Sequence, residues 1–138
     1  MVVADQAVTM YADNYHTLEW VALLNEDGSV LNLAGRIVKF ALARFNSSSV
    51  PLREDPVLSF ASDDVGTPQV TVPDPLPVIG TPGPMHVIVE LLPIDTAELA
   101  PVKDVDFYFE LEVFEGDGSK PVVVSTGTLT VKLNVEND

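Results

Sequence analysis

Two histidines, His16 and His86, are the only side chains suited to act as bases near neutral pH, and they stand seventy positions apart. Neither falls in the spacing of a serine hydrolase or a zinc metalloprotease. Each therefore reads as a packing or surface residue. Acidic pairs raise a second chemistry, the general acid–base work of a glycosidase, which needs two carboxylates facing one bond. Candidates are Asp63 with Asp64, Asp104 with Asp106, and Glu110 with Glu112. The last pair shares one face of a strand, but the phase that buries the neighbouring phenylalanines turns that face to water, so solvated charge is expected. Calcium coordination is the third chemistry, through oxygen-rich loops at Glu26-Asp27-Gly28, Asp63-Asp64 and Glu115-Gly116-Asp117. None has the ligand spacing of an EF-hand, and their glycines are what ordinary hairpin turns require. The chain has no cysteine, hence no thiolate nucleophile, disulfide or thiolate zinc site. No glycine-rich loop is placed to cradle phosphate. These residue types predict no catalytic site, no metal and no cofactor.

Charge narrows the partners further. Seven basic against twenty-one acidic side chains in 138 residues leave a net charge of −14. Nucleic acid is not an expected partner, because binding phosphate requires clustered Lys and Arg to displace counterions. An anionic membrane surface is disfavoured for the same reason. Apolar residues nevertheless make up 46% of the chain, enough to build a core. The apolar runs are far shorter than the ~20 residues that span a bilayer. The sequence Met-Val-Val-Ala-Asp-Gln at the start lacks the basic and apolar regions of a signal peptide, which makes intracellular synthesis the expectation.

The elements that would position these residues are short and β-like. Residues 1–16 read as an N-terminal arm or edge strand, and 17–138 as a single sandwich domain. An apolar segment over 17–24 contains the one tryptophan, Trp20, which is expected in the core, and turns at Asp27-Gly28. Val38, Phe40 and Leu42 alternate with Lys39, Ala41 and Ala43, the period of a half-buried strand. Residues 57–60 and 85–92 supply further strands. Ile94-Asp95-Thr96-Ala97-Glu98-Leu99, stopped by Pro101, reads as one helical turn with Asp95 as its cap. Phe107, Phe109, Leu111 and Val113 alternate with Tyr108, Glu110 and Glu112. A turn at Glu115-Gly116-Asp117-Gly118 leads to a return strand through Leu129, Val131 and Leu133. Together these predict an all-β fold: a single immunoglobulin-like antiparallel β-sandwich with a long proline-rich loop and one short helical turn.

That loop holds six prolines, at 68, 73, 75, 77, 82 and 84. Proline lacks an N–H, so the stretch is expected as an extended excursion outside any central strand. Pro73, Pro75, Pro77, Pro82 and Pro84, with Tyr11 and Tyr15 of the arm, are the candidate interaction residues.

The order of motifs resembles a family of small β-sandwich virion proteins of tailed bacteriophages, related to the N-terminal domain of upper baseplate proteins. The resemblance is carried by Asp27-Gly28, by Leu31-Asn32-Leu33-Ala34-Gly35, and by the strand from Val38 that ends at Arg44. It continues through Asp95-Thr96-Ala97-Glu98-Leu99, Phe107-Tyr108-Phe109-Glu110-Leu111-Glu112-Val113 and Gly127-Thr128-Leu129-Thr130-Val131. The proline-rich stretch is longer than the family's equivalent connection, and Trp20 departs from the family's strand-end aromatic. The resemblance implies a virion structural role without catalysis, in the tail or baseplate or as a decoration protein on the head. The partners it implies are other virion proteins and further copies of this chain. A carbohydrate-binding sandwich used in host recognition is the alternative, with Tyr11, Tyr15, Tyr108 and Trp20 as its candidate aromatic platform.

Overall fold

The computed structural model describes residues 4–21, 23–25, 27–66, 68–73 and 86–133. In chain order the elements are β1 (Ala4–Tyr11), β2 (His16–Trp20), β3 (Ile37–Arg44), β4 (Leu58–Ala61), β5 (Val70–Thr71), β6 (Val87–Leu91), α1 (Pro93–Thr96), β7 (Val105–Phe114) and β8 (Val122–Lys132). They form two sheets packed face to face: β1-β8-β7-β3-β4 and β2-β6-β5. The fold is an all-β sandwich. All strand pairs are antiparallel except β1 with β8, which run parallel from Ala4 opposite Ser125 to Tyr11 opposite Lys132. The expected arm is thus an edge strand over residues 4–11, and Met10 points into the core.

Alternation explains which face each strand buries. On β3, Val38, Phe40 and Leu42 point inward; on β7, Phe107, Phe109, Leu111 and Val113 do the same. Ser125, Leu129 and Val131 answer them from β8, and Leu18, Trp20, Val87, Val89 and Leu91 from the second sheet. On β8 the inward residues are odd-numbered from 125 onward, yet Val122 also packs on the core. A β-bulge reconciles the two phases: Leu111 pairs with Ser125 and Glu112 with Val123, leaving Val124 as the extra residue. One further strand escapes the sequence pattern. The two-residue β5 lies inside the segment read as proline-rich excursion and pairs with Val89 and Ile88. Two residues are too few to show a period.

Trp20 is the largest side chain to cross between the sheets. Its ring meets Phe109 edge-on at 6.2 Å, and Phe109 stacks on Phe40 at 6.0 Å. The indole N–H donates to the Ser125 hydroxyl at 3.0 Å, both groups being buried. At one end of the sandwich, the Ala34-Gly35 turn closes on the β7–β8 hairpin. A Cβ on Gly116 would stand 2.6 Å from the Gly35 carbonyl oxygen, so that position admits only glycine without a backbone shift. At the other end the cap of α1 lies three residues earlier than expected, so that Asp95 is the third residue of the helix and not its cap. Leu92 is the residue before the helix and Pro93 opens it. The Asp95 carboxylate reaches back to accept the Leu92 N–H at 2.7 Å and also the Gln69 amide at 2.8 Å. A carboxylate at the third helical position can satisfy an otherwise free donor as well as a cap can. Asp95 therefore fastens this connection to the strand-5 side of the second sheet.

The buried Trp20–Ser125 bond yields a stability prediction. Ser125→Ala leaves the indole N–H without a partner in the core and is expected to cost about 1–3 kcal/mol. A denaturant melt showing a lower midpoint at unchanged slope is the expected result. An unshifted midpoint would show that the bond adds nothing.

Candidate interaction surface

Strand register decides which loops share an end of the sandwich. Tyr11 lies opposite Lys132, Val105 opposite Val131, Arg44 opposite Phe107, Leu58 opposite Leu42 and His16 opposite Leu91. One end therefore collects the β1–β2 turn, the 45–57 loop and the 92–104 connection. Hydrogen bonds tie these pieces together. The Asp13 N–H donates to Thr96 Oγ1 at 3.1 Å, and the Leu133 N–H to Asp104 Oδ1 at 2.9 Å. Asp13 sits at φ 61°, a left-handed conformation that aspartate tolerates better than most side chains. The Arg44 guanidinium lies 5.2 Å from the Phe107 ring centroid and closes the core at this end.

Six of the nine large apolar side chains exposed among the described residues belong to this end: Tyr11, Tyr15, Val50, Leu52, Ile94 and Val102. Tyr11 and Tyr15 are 50% and 56% exposed, Ile94 and Val102 82% and 79%. The two tyrosines of the sequence analysis thus lie on the same end. Pro73 does not join them: it is half-buried and follows β5, which runs antiparallel to β6 and so away from that end. Pro75, Pro77, Pro82 and Pro84 lie outside the described residues. Ile94, Val102, Val50 and Leu52 had no sequence signal. An isolated apolar residue in a loop looks the same whether it is covered or bare.

The outer face of the five-stranded sheet corrects one expectation. Glu110 does point away from the phenylalanines, but it is only 6% exposed. The 45–57 loop folds over it, and Arg53 Nε donates to Glu110 Oε2 at 2.8 Å while the Tyr108 hydroxyl donates to the same oxygen at 2.8 Å. Phe45 meets the Tyr108 ring edge-on at 6.4 Å. Burial, then the hydrogen bond to Glu110 and its charge, push the Tyr108 hydroxyl up to about 12. Glu112 is pushed upward by burial first and by the Glu110 charge second. Sequence could not show this cluster, since Arg53 and Glu110 are 57 positions apart. Beside it the sheet face and the loop border an open, shallow cavity of about 380 Å³, lined by Phe45, Ser49, Asp106 and Thr128.

The remaining titratable candidates are separate. His16 opens β2 and is partly buried, which holds its pKa below the ordinary value. His86 precedes β6, which places the two rings at opposite ends of the β2–β6 pair. His86 Nε2 lies 2.6 Å from Glu19 Oε1, close enough for an ion contact but without the alignment of a hydrogen bond. In the acidic turns, the Asp27 carboxylate accepts from the Ser29 N–H and hydroxyl, and Asp117 accepts likewise from Ser119. These serine bonds hold both carboxyls below the usual range. Asp64 accepts the Ala61 N–H, and Asp106 the Thr130 hydroxyl. Among the described residues no three His, Asp or Glu side chains gather as a metal site. No helix among them is long and apolar enough to cross a membrane. No protein-family model, curated protein or solved structure matches the chain.

The Glu110 cluster makes two predictions. Glu110→Gln removes the charge that Arg53 and Tyr108 share, and is expected to cost about 1–2 kcal/mol in a denaturant melt. A wild-type midpoint would return Glu110 to the solvated class. Tyr108 gives an alkaline signature. Its pKa rises on folding from 10.0 to about 12. The stabilisation it reflects is complete below pH 10.0 and is lost as pH climbs through about 12. Ultraviolet titration should show one of the three tyrosines ionising near pH 12, and that step should vanish in Tyr108→Phe. A late step surviving in Tyr108→Phe would assign it elsewhere.

Proposed function

We propose that this chain is a non-enzymatic assembly module of a tailed-phage particle, held to a neighbouring virion protein through the end that carries Tyr11 and Tyr15. The observation that carries the reading is the gathering of Tyr11, Tyr15, Val50, Leu52, Ile94 and Val102 at one end of the sandwich. Clustered exposed apolar side chains on a soluble domain mark protein contact. The net charge of −14 supports the same role, because it keeps free subunits apart and soluble until a partner covers the apolar end.

The phage assignment rests on the motif resemblance; in this chain its pieces fall in a turn at Asp27-Gly28, at α1 for Asp95-Thr96, and on β7 and β8 for residues 107–113 and 127–131. Strand order favours the immunoglobulin-like form of the sandwich. The larger sheet places β8, β7, β3 and β4 side by side and the smaller places β2, β6 and β5, an order that sandwich also has. A tail or baseplate position follows the resemblance most directly, and a head-surface position is the second placement. Glycan recognition remains the competing role. The exposed Tyr11 and Tyr15 favour it, while Trp20, at 6% exposure, is withdrawn from any platform.

Immunogold labelling of particles from the encoding phage is the test. Label on the tail or head supports the proposal and fixes the placement; particles without label overturn it. A Tyr15→Ser/Ile94→Ser/Val102→Ser variant should keep its stability within ~0.5 kcal/mol, since all three side chains are exposed. Its incorporation into particles should fall roughly thirtyfold, as loss of about 2 kcal/mol of contact implies. Full incorporation of that variant would exclude this end as the contact, and binding of the chain to a glycan array would favour the competing role.

A further inference from the structure

The cavity on the outer sheet face has a composition that the apolar end alone does not explain. Phe45, whose ring is set edge-on against Tyr108, lines it. Thr128 of β8, Asp106 of β7 and Ser49 of the 45–57 loop also line it. Asp106 is exposed, and Oδ1 accepts the Thr130 hydroxyl at 2.7 Å. Among the described residues no cation pairs with it. An aromatic residue, a carboxylate with no counter-ion among the described residues and two hydroxyl-bearing side chains line one open space. A planar cation that stacks on a ring while donating several N–H bonds is the complementary shape. The volume of about 380 Å³ admits one long side chain.

Two guanidinium groups of this same chain are already held by this chemistry. Arg44 lies over the Phe107 ring, and Arg53 binds the Glu110 carboxylate beside Tyr108. The cavity repeats both halves, ring and carboxylate, without an arginine of its own.

We infer that the Phe45–Ser49–Asp106–Thr128 cavity receives an arginine side chain of a partner protein, pairing its guanidinium with Asp106 and stacking it on Phe45. A net charge of −14 attracts a basic segment to the chain as a whole and disfavours a second copy, which carries only seven basic residues. The inference rests on the interaction role proposed above and names the chemistry of the partner.

The test is an amide NMR titration of the full chain with N-acetyl-arginine amide, against N-acetyl-citrulline amide as the uncharged isostere. Arginine amide at millimolar concentration should shift the amides of Phe45, Ser49, Asp106 and Thr128, and citrulline amide should leave them still. Asp106→Asn should weaken the binding roughly tenfold or more. Phe45→Leu, which keeps bulk and removes the ring face, should weaken it as well. Equal shifts with citrulline, shifts from a neutral monosaccharide, or no shifts at these amides would each overturn the inference. Particle labelling is independent of this result, so an empty cavity on a chain that does label particles would sink the arginine site and leave the assembly role standing.

Discussion

The two sheets belong to separate hydrogen-bond ladders, and what holds them in one relation is side-chain contact across the middle. Trp20 supplies the one contact in it that is both aromatic and hydrogen-bonded among those described. Its ring presses edge-on against Phe109, while its N–H must find an acceptor in a place water does not reach. Ser125 supplies that acceptor only because a bulge at Val124 sets the phase of β8 so that position 125 faces inward. A slip of one residue on β8 would turn Ser125 outward and strand the indole N–H. The bond thus ties the register of one sheet to the position of the other, a constraint that apolar packing alone does not impose.

With the layers fixed, the loops inherit their places. Because β1, β3, β6 and β8 all finish at the same end, the turns and connections that follow or precede them are brought together whatever their composition. The Asp13–Thr96 and Asp104–Leu133 bonds then hold the β1–β2 turn and the 92–104 connection in place. Side chains such as Tyr15, Ile94 and Val102 stand on backbone that is already anchored. A partner that covers them would order little new chain, which keeps the entropic cost of association low.

The outer face of the larger sheet follows a different logic. Threonine, alanine and glutamate alternate there as they would on a wet surface, yet the 45–57 loop lies over part of it and removes Glu110 from water. A carboxylate in that position needs compensation, and Arg53 and Tyr108 both donate to it. The same loop, with Phe45 and Ser49, borders the open cavity that Asp106 and Thr128 also line. A covered half and an open half of one sheet face therefore share one cause, the path of a single loop.

The alternation of Phe107, Phe109, Leu111 and Val113, the Asp-Gly turns and the proline stop at 101 were enough to determine an all-β chain with its long strands and their buried faces, because period and turn chemistry are local properties. Trp20 in the core and Tyr11 and Tyr15 outside followed from the same local reading. Nonlocal pairings were not available in that way. The parallel β1–β8 pair, the two-residue β5, the bulge at Val124 and the Arg53–Glu110–Tyr108 cluster each join segments whose separation in the chain carries no mark of their contact. The meeting of Tyr15 with Ile94 and Val102 at one end is of the same kind. Local backbone preference chose the strands; only closing one sheet on the other decided which loops became neighbours and which polar groups lost their water.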